Sequence, residues 1–366
     1  LLRERVLALR ASGVDNHILC NDGPYVPSLR AAGIPVGTVH LPRGMNPLKA
    51  AWSLFELVAY LRRVQPDLVH THCSVPGLIG RVAARLAGVP VVFHTVHGFA
   101  FHDGGTGLSQ RLAVWAERFA GLLTDSLLSQ NRSDIELAAQ HRIVPPTRME
   151  FIGNGIDLGR FPARSTPRVA GPRTIITCVA RMEGVKNHLM LFGAARLLHQ
   201  RGESFDLWLV GGGERRAEYE ALCAQWGLAD VVRFLGYRDD IPELLSRSDI
   251  SVLTSLKEGI PRAALESMAA GLPVVATRVT GTREVVLDGE TGALVNVGDV
   301  EGLAASLARL IHDPSLRERW GARGREVVAA SFDEADIVRN LVRAYRTQLQ
   351  HKGLTCSSSL VSGVGA

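Results

Sequence analysis

The chain has 366 residues, 46% of them hydrophobic and 21% charged, which is the balance of a globular protein and enough length for two cores. A formal charge of +5 with arginine spread along the chain argues against a dedicated nucleic-acid surface. It fits small phosphorylated ligands or an anionic membrane face better. No apolar run reaches about 18 residues, so neither a membrane-spanning helix nor a signal peptide is expected.

Residues 1–11 have the spacing of an amphipathic helix, and 14–21 read as a strand closed by Asp22-Gly23-Pro24. The first residue, Leu1, already lies in helical pattern and is not a methionine, so a missing beginning is expected. Residues 47–63 are apolar at helical spacing, 66–72 form a short buried strand, 77–87 a helix and 91–96 a strand. Helix 108–121, strand 122–129 and a further strand at 149–152 complete the first half. Residues 159–173 are rich in Pro, Arg and Gly and read as the linker.

The alternation then restarts with strand 174–180, helix 187–200, strand 205–210, helix 214–226 and strand 231–235. It continues with helix 240–246, strand 250–254, helix 261–270, strands 274–277 and 285–287 and helix 300–312. Residues 315–350 are helical and charged, and the tail from Gly353 is expected to be disordered. Such βαβ alternation predicts an α/β fold of two Rossmann-like domains facing across a cleft. The expected division is 1–165, with a helix near 333–350 packing back on it, and 166–332, followed by the tail 353–366.

In such sheets ligands sit beyond the carboxyl ends of strands. After strand 174–180 come Arg181 and Lys186, two cations around a glycine turn, which suit phosphate oxygens unless they are merely solvated. Gly211-Gly212-Gly213 follows strand 205–210, where either close ligand approach or a tight turn accounts for the glycines. Glu258 stands before helix 261–270 and Glu266 within it; Gly271 is a left-handed cap candidate and Pro273 blocks continuation. Taken without context, Glu258 reads first as a favourable anion near a helix N-terminus and Glu266 as a solvent-facing helix residue.

Histidines concentrate in the first half. His70, His72 and His94 read as strand residues with satisfied nitrogens, whereas His97 ends a strand before a glycine and could bond a sugar hydroxyl. A metal site there is a minority reading, with only Asp103 and Cys73 to complete it. The five cysteines (Cys20, Cys73, Cys178, Cys223, Cys356) form no C-x-x-C pair and read as mostly buried free thiols in a reducing cytosol.

The stretch EGIPRAALESMAAGLPVVAT at 258–277, followed by GTREVVLDGETGALV at 281–295, resembles retaining glycosyltransferases of the GT-B type, family four. VARMEGVKNH (179–188), LWLVGGGERR (207–216), VRFLGYRDDIPELLSRSDISVLTS (232–255) and NGIDLGRF (154–161) support the likeness. VHTHCSVPGLIGRVAARLAGVPVVFHTVHGFAFH (69–102) resembles members that build surface polysaccharide on lipid carriers.

The resemblance implies that Arg181 and Lys186 bind a donor diphosphate and Glu266 the ribose. It places Glu258, with the backbone of Gly259 and Ile260, on the transferred sugar, the backbone around Tyr237-Arg238 on the base, and Gly213 and His97 around donor and reaction centre. A nucleotide-sugar donor, a UDP-sugar first, and a lipid-linked or polysaccharide acceptor follow, with no cofactor, no metal and no nucleic acid. A cytoplasmic place is implied, and the arginines and apolar residues of 47–63 suit peripheral contact with the inner membrane face as well as they suit an ordinary core helix.

Members of that family begin with a strand and a glycine-rich loop that this chain does not show, so the N-terminal domain is expected to lack its first strand. Glu183-Gly184-Val185 also replaces a proline-containing turn. A nucleotide-sugar-binding protein without turnover is the competing reading, and an epimerase a third that the two glutamates speak against.

Overall fold

Strand and helix alternate throughout the computed structural model, which describes residues 2–23, 26–42, 46–99, 101, 107–161 and 171–354. The chain divides into two units, one of residues 1–153 with 334 onward and one of 154–333. The boundary expected at 165/166, most of the linker, the tail from 355, Cys356, His102 and Asp103 lie outside the described residues.

The first unit contains α1 (Leu2–Ala11), β1 (Ile18–Cys20), α2 (Val26–Ala31), β2 (Val36–Thr38), α3 (Pro47–Val64) and β3 (Leu68–His72). It continues with α4 (Ser74–Leu86), β4 (Val91–Val96), α5 (Leu108–Leu122), β5 (Ser126–Ser129), α6 (Arg132–Gln140) and β6 (Met149–Phe151). Two parallel sheets form among the described residues, β1–β2 and β3-β4-β5-β6, with no ladder between them. Alternate residues of β4 serve opposite faces: Val92 and Val96 pack toward α3, α4, α5 and α6, and Val91 and Phe93 toward the chain's last helix.

The second unit holds β7 (Thr174–Val179), α7 (His188–Gln200), β8 (Phe205–Val210), α8 (Arg216–Gln225), β9 (Val232–Gly236), α9 (Ile241–Ser246) and β10 (Ile250–Leu253). Then come α10 (Arg262–Ala269), β11 (Val274–Thr277), α11 (Thr280–Val285), β12 (Gly292–Val295), α12 (Val300–His312) and α13 (Pro314–Ser331). Its six parallel strands run in the order β12-β11-β10-β7-β8-β9. Ile176, Leu207, Leu209, Val252 and Val275 fill one face against α7 and α12, while Leu253, Val274 and Ala276 meet α10 on the other. Each such fully buried Val, Leu or Ile side chain contributes about 1.5–3 kcal/mol.

α14 (Glu334–His351) returns to the first unit, where Val338, Leu341, Val342 and Tyr345 cover Val91, Phe93 and Leu128. Arg5 on α1 holds Glu334 at 2.7 Å. The helical run expected over 315–350 is thus two helices, broken at Phe332-Asp333.

The strand expected at 285–287 is absent. Thr282 accepts the Val279 amide at 3.1 Å and closes α11 instead, so Val285 and Val286 are buried by a helix end. The strand in that region is β12, further along. Of the cysteines, Cys178 and Cys223 are buried but Cys73 is exposed.

Candidate active site

In the second sheet, β7-β8-β9 are laid outward in one direction and β10-β11-β12 in the other, so the strand order reverses between β7 and β10. A doubly wound sheet offers a ligand its crevice beyond the strand ends at that point. The loops leaving these two strands carry Arg181 to Asn187 and Thr254 to Pro261, which include Arg181, Lys186, Glu258, Gly259 and Ile260, five of the residues singled out from the sequence.

Lys186 ends a single 3-10 turn, Gly184–Lys186, and Asn187 then takes a left-handed conformation, φ 50°, to start α7. Thr254 fixes this turn by donating its hydroxyl to the carbonyls of Lys186 and Asn187, at 3.1 and 3.0 Å, and the Leu256 amide bonds Val185 O at 2.8 Å. The two loops are therefore stitched together, and Lys186 Nζ lies 2.6 Å from Glu258 Oε1. Ser255 donates to the same oxygen at 2.6 Å. Both charged side chains are largely enclosed, at 21% and 12% exposure, so solvent screens the pair less than an exposed one.

Arg181 is mostly exposed and pairs with Glu183 at 2.7 Å. Behind it, the Met182 amide bonds Gly212 O at 2.8 Å, and Met182 is fully buried. The triple glycine is thereby explained in part. A Cβ on Gly211 would lie 2.2 Å from Ala180 O and one on Gly213 2.5 Å from Met182 O, whereas Gly212 faces open space. Gly211 and Gly213 answer close backbone neighbours, whereas a side chain on Gly212 would meet nothing within 4 Å.

Gly259 and Ile260 form the corner before α10. Gly281 presses on it so closely that a Cβ there would meet Gly259 O at 1.1 Å. Ile260 is buried and its carbonyl accepts from Asn154 at 3.4 Å. On α10, Glu266 accepts from Arg262 Nε at 2.8 Å, one turn earlier. Gly271, at φ 76°, caps the helix as expected, with the Leu272 amide on Ser267 O. Tyr237 and Arg238 stand apart from this group at the end of β9, the outer strand, where Tyr237 is exposed and Arg238 is held by Asp240 at 2.7 Å.

Three residues join the site that sequence reading did not single out. Ser255 shares Glu258, and Arg262 partners Glu266. Arg215 Nη1 would stand 3.7 Å from a Cβ on Gly184, over the Tyr219 ring. Spacing was the available signal for Arg262, which precedes Glu266 by four on one helix. His188, fully buried below the Lys186 turn, has its pKa pushed down to about 4 by burial, with Lys186 and Arg215 adding repulsion. Burial likewise lifts the Cys178 thiol to about 12, leaving it inert.

In the first unit, His70 and His72 project from one face of β3 and stack with centroids 4.4 Å apart. His70 bonds Tyr345 and Thr95, and His94, on the opposite face, bonds Thr71. His97, at the end of β4, lies between His72 at 3.1 Å and the Gln130 side-chain oxygen at 2.9 Å. Part of its ring reaches solvent, yet desolvation still lowers its pKa, with Gln130 opposing and Arg5 adding to the fall. Among the described residues no three His, Cys, Asp or Glu side chains gather as metal ligands.

A doubly wound sheet whose switch-point loops carry paired charges presents a crevice of the kind in which such sheets hold ligands. The comparisons with known proteins agree. The model for Glycosyl transferases group 1 matches residues 162–327, and that for a Glycosyl transferase 4-like domain matches 2–155. An Escherichia coli UDP-Gal:alpha-D-GlcNAc-diphosphoundecaprenol alpha-1,3-galactosyltransferase is 33% identical over 82% of this chain and 81% of its own. An alpha-D-kanosaminyltransferase of Streptomyces kanamyceticus is 28% identical over 94% and 98%. The Anabaena Alr3699/HepE structure, in complex with UDP and glucose, superposes with a TM-score of 0.80 at 20% identity, covering 94% of this chain and 95% of that one. The chain belongs to the family-four type of GT-B glycosyltransferases, enzymes that use nucleotide-sugar donors.

Proposed function

We propose that this enzyme moves a hexose-type sugar from a nucleotide-diphosphate donor, a UDP-sugar before others, to a lipid-linked or polysaccharide acceptor, with retained anomeric configuration and no metal ion. The observation that carries the reading is the Lys186–Glu258 pair at the switch point, a cation and a carboxylate on adjoining loops. The Escherichia coli relative, whose name specifies a UDP-sugar donor and a lipid-diphosphate-linked acceptor, supports the choice of substrates.

In this reading Arg181 and Lys186 take the diphosphate. As the bond from the anomeric carbon to the diphosphate oxygen breaks, negative charge grows on the leaving group, and fixed cations stabilise it most at that stage. Glu258, with the backbone of Gly259 and Ile260, holds the sugar hydroxyls, Glu266 the ribose, and the backbone at Tyr237-Arg238 the base; Gly213 and His97 complete the donor and sugar contacts. A carboxylate accepts two hydroxyls and also favours positive charge at the anomeric carbon. The acceptor oxygen bonds that carbon on the face the diphosphate leaves, and its proton passes to the departing phosphate. Work at the inner face of the cytoplasmic membrane follows from a lipid-linked acceptor.

Incubation with UDP-, GDP- and ADP-sugars, with and without EDTA, tests this. Transfer unaffected by EDTA, giving a product of the donor's anomeric configuration by NMR, is expected. Inverted product or metal-dependent turnover would overturn the mechanism, and binding with neither transfer nor hydrolysis would leave a nucleotide-sugar-binding protein.

A further inference from the structure

α5 presents an apolar stripe to solvent. Leu108, Leu112, Trp115, Phe119 and Leu122 recur at four- and three-residue steps, and each is between 51 and 78% exposed. Isolated exposed apolar residues need no explanation, but a stripe over four turns of one helix does. Its orientation is locked from behind. Gly121 seats so tightly that a Cβ would meet Ile143 O at 2.0 Å, and Ala113 and Val114 pack with the core around Val96 and Leu127.

The charges on α5 are sorted as well. Its one acid, Glu117, is turned inward to Arg81 at 2.9 Å, where both are buried. What remains outward is Arg111 and Arg118, both exposed. Beside the stripe lies a groove of about 1040 Å³ that Arg118, Arg142 and Arg148 line together with Trp115 and Phe119, and among the described residues no acidic one lines it. Large apolar groups with a tryptophan, beside arginines, match the boundary between the acyl chains and head groups of an anionic bilayer. A protein partner of ordinary surface would not select for the absence of outward acids.

We propose that α5 is the surface by which this enzyme docks on anionic membrane, with Trp115 and Phe119 inserted at the head-group boundary and Arg111 and Arg118 on lipid phosphates. The proposal gives a location to the membrane contact in the reading above and rests on it for its biological sense. It also moves the contact away from residues 47–63. On α3, Leu48, Trp52 and Phe55 are exposed too, but that stripe is shorter.

The test is co-sedimentation of the full chain with vesicles of phosphatidylcholine alone and of equimolar phosphatidylcholine and phosphatidylglycerol. Binding to the anionic vesicles only is expected. Trp115→Ser with Phe119→Ser should weaken it at least about tenfold, with the circular dichroism of the wild type. Arg111→Gln with Arg118→Gln, which leaves the apolar stripe intact, should weaken it at least about fivefold and cover the case of a misfolded first variant. Wild-type binding in both variants, binding lost only in Trp52→Ser with Phe55→Ser, or a dimer that the Trp115 and Phe119 changes dissociate in place of vesicle binding would each overturn it. Transfer to a water-soluble acceptor without vesicle binding sinks the docking surface and keeps the transferase reading. Vesicle binding without transfer from any donor does the opposite.

Discussion

Lys186 and Glu258, 72 positions apart in sequence, share one ion pair at 2.6 Å across the loops that leave β7 and β10. The cation assigned to the donor's phosphates and the carboxylate assigned to its sugar thus already balance each other. Arg262 and Glu266 repeat the arrangement on α10 at 2.8 Å. Opposite charges beside one another are how this corner keeps enclosed ionic groups in a folded protein without paying the full desolvation cost.

Glu258→Gln should lower turnover about 100-fold or more, and Lys186→Met by a similar factor. Because the two side chains act on each other, the double variant should lose little more than the worse single one. Steady-state kinetics on the three variants measures this. Glu258→Gln turning over within about twofold of wild type would remove that residue from the mechanism.

Gly281→Ala should destabilise the second unit by about 3 kcal/mol or more, since the new methyl overlaps Gly259 O and the corner must move. Gly212→Ala meets nothing within 4 Å and should melt like the wild type. A loss of donor affinity in Gly212→Ala, at unchanged stability, would identify a ligand that approaches that backbone. Thermal melts and donor titrations of the two variants separate these outcomes.

Arg81→Met should cost about 3–5 kcal/mol in urea unfolding, because it strands the buried Glu117 carboxylate. The double change Arg81→Met with Glu117→Leu should recover much of that loss, since it removes both charges. A single variant as stable as wild type would mean that Glu117 finds another partner.

Acid should weaken the first unit early. Burial holds the pKa of His72 down at about 3 and those of His70 and His94 well below the usual imidazole range, with neighbouring histidines or arginines adding to the fall. The unfolded chain takes up protons below about pH 6.5 that the folded chain refuses, so stability falls as pH drops through that value and continues to fall toward about pH 3. Melting temperatures at about pH 7.5, 6 and 5 should decline, and His72→Asn should decline less steeply. Identical profiles for the two proteins would rule out His72 as a source of the slope.

Much of this fold was legible because its strands are short apolar runs set between amphipathic helices; 91–96, 205–210 and 274–277 were read at their observed limits. The pairing order that creates the switch point was not legible, since registry between β7 and β10 pairs Ile176 with Ile250, a contact far apart in sequence. α11 was missed because Val285-Val286-Leu287 has the composition of a strand; the Thr282 cap that starts the helix is local, while the Gly281 contact with Gly259 that fixes its place is tertiary. Glu258 and Glu266 could be picked out in the sequence, but not that Lys186, 72 positions away, already holds Glu258. The stripe on α5 was hidden for a related reason. Apolar residues at helical spacing look alike facing in or out, until Glu117 and Gly121 show which side is the core.

The last helix has a consequence for synthesis. α14 covers the face of β4 and β5 built from the first half of the chain, and Glu334 answers Arg5. On the ribosome, the segment up to Gly153 therefore emerges with Val91, Phe93 and Leu128 uncovered, while the unit of 154–333 can close on its own hydrophobic centre first. Of the two units, the one that starts first along this sequence is completed last. A ribosome that stalls before residue 334 would release a chain with a finished second half and a sticky, open-faced first one, a natural target for chaperones.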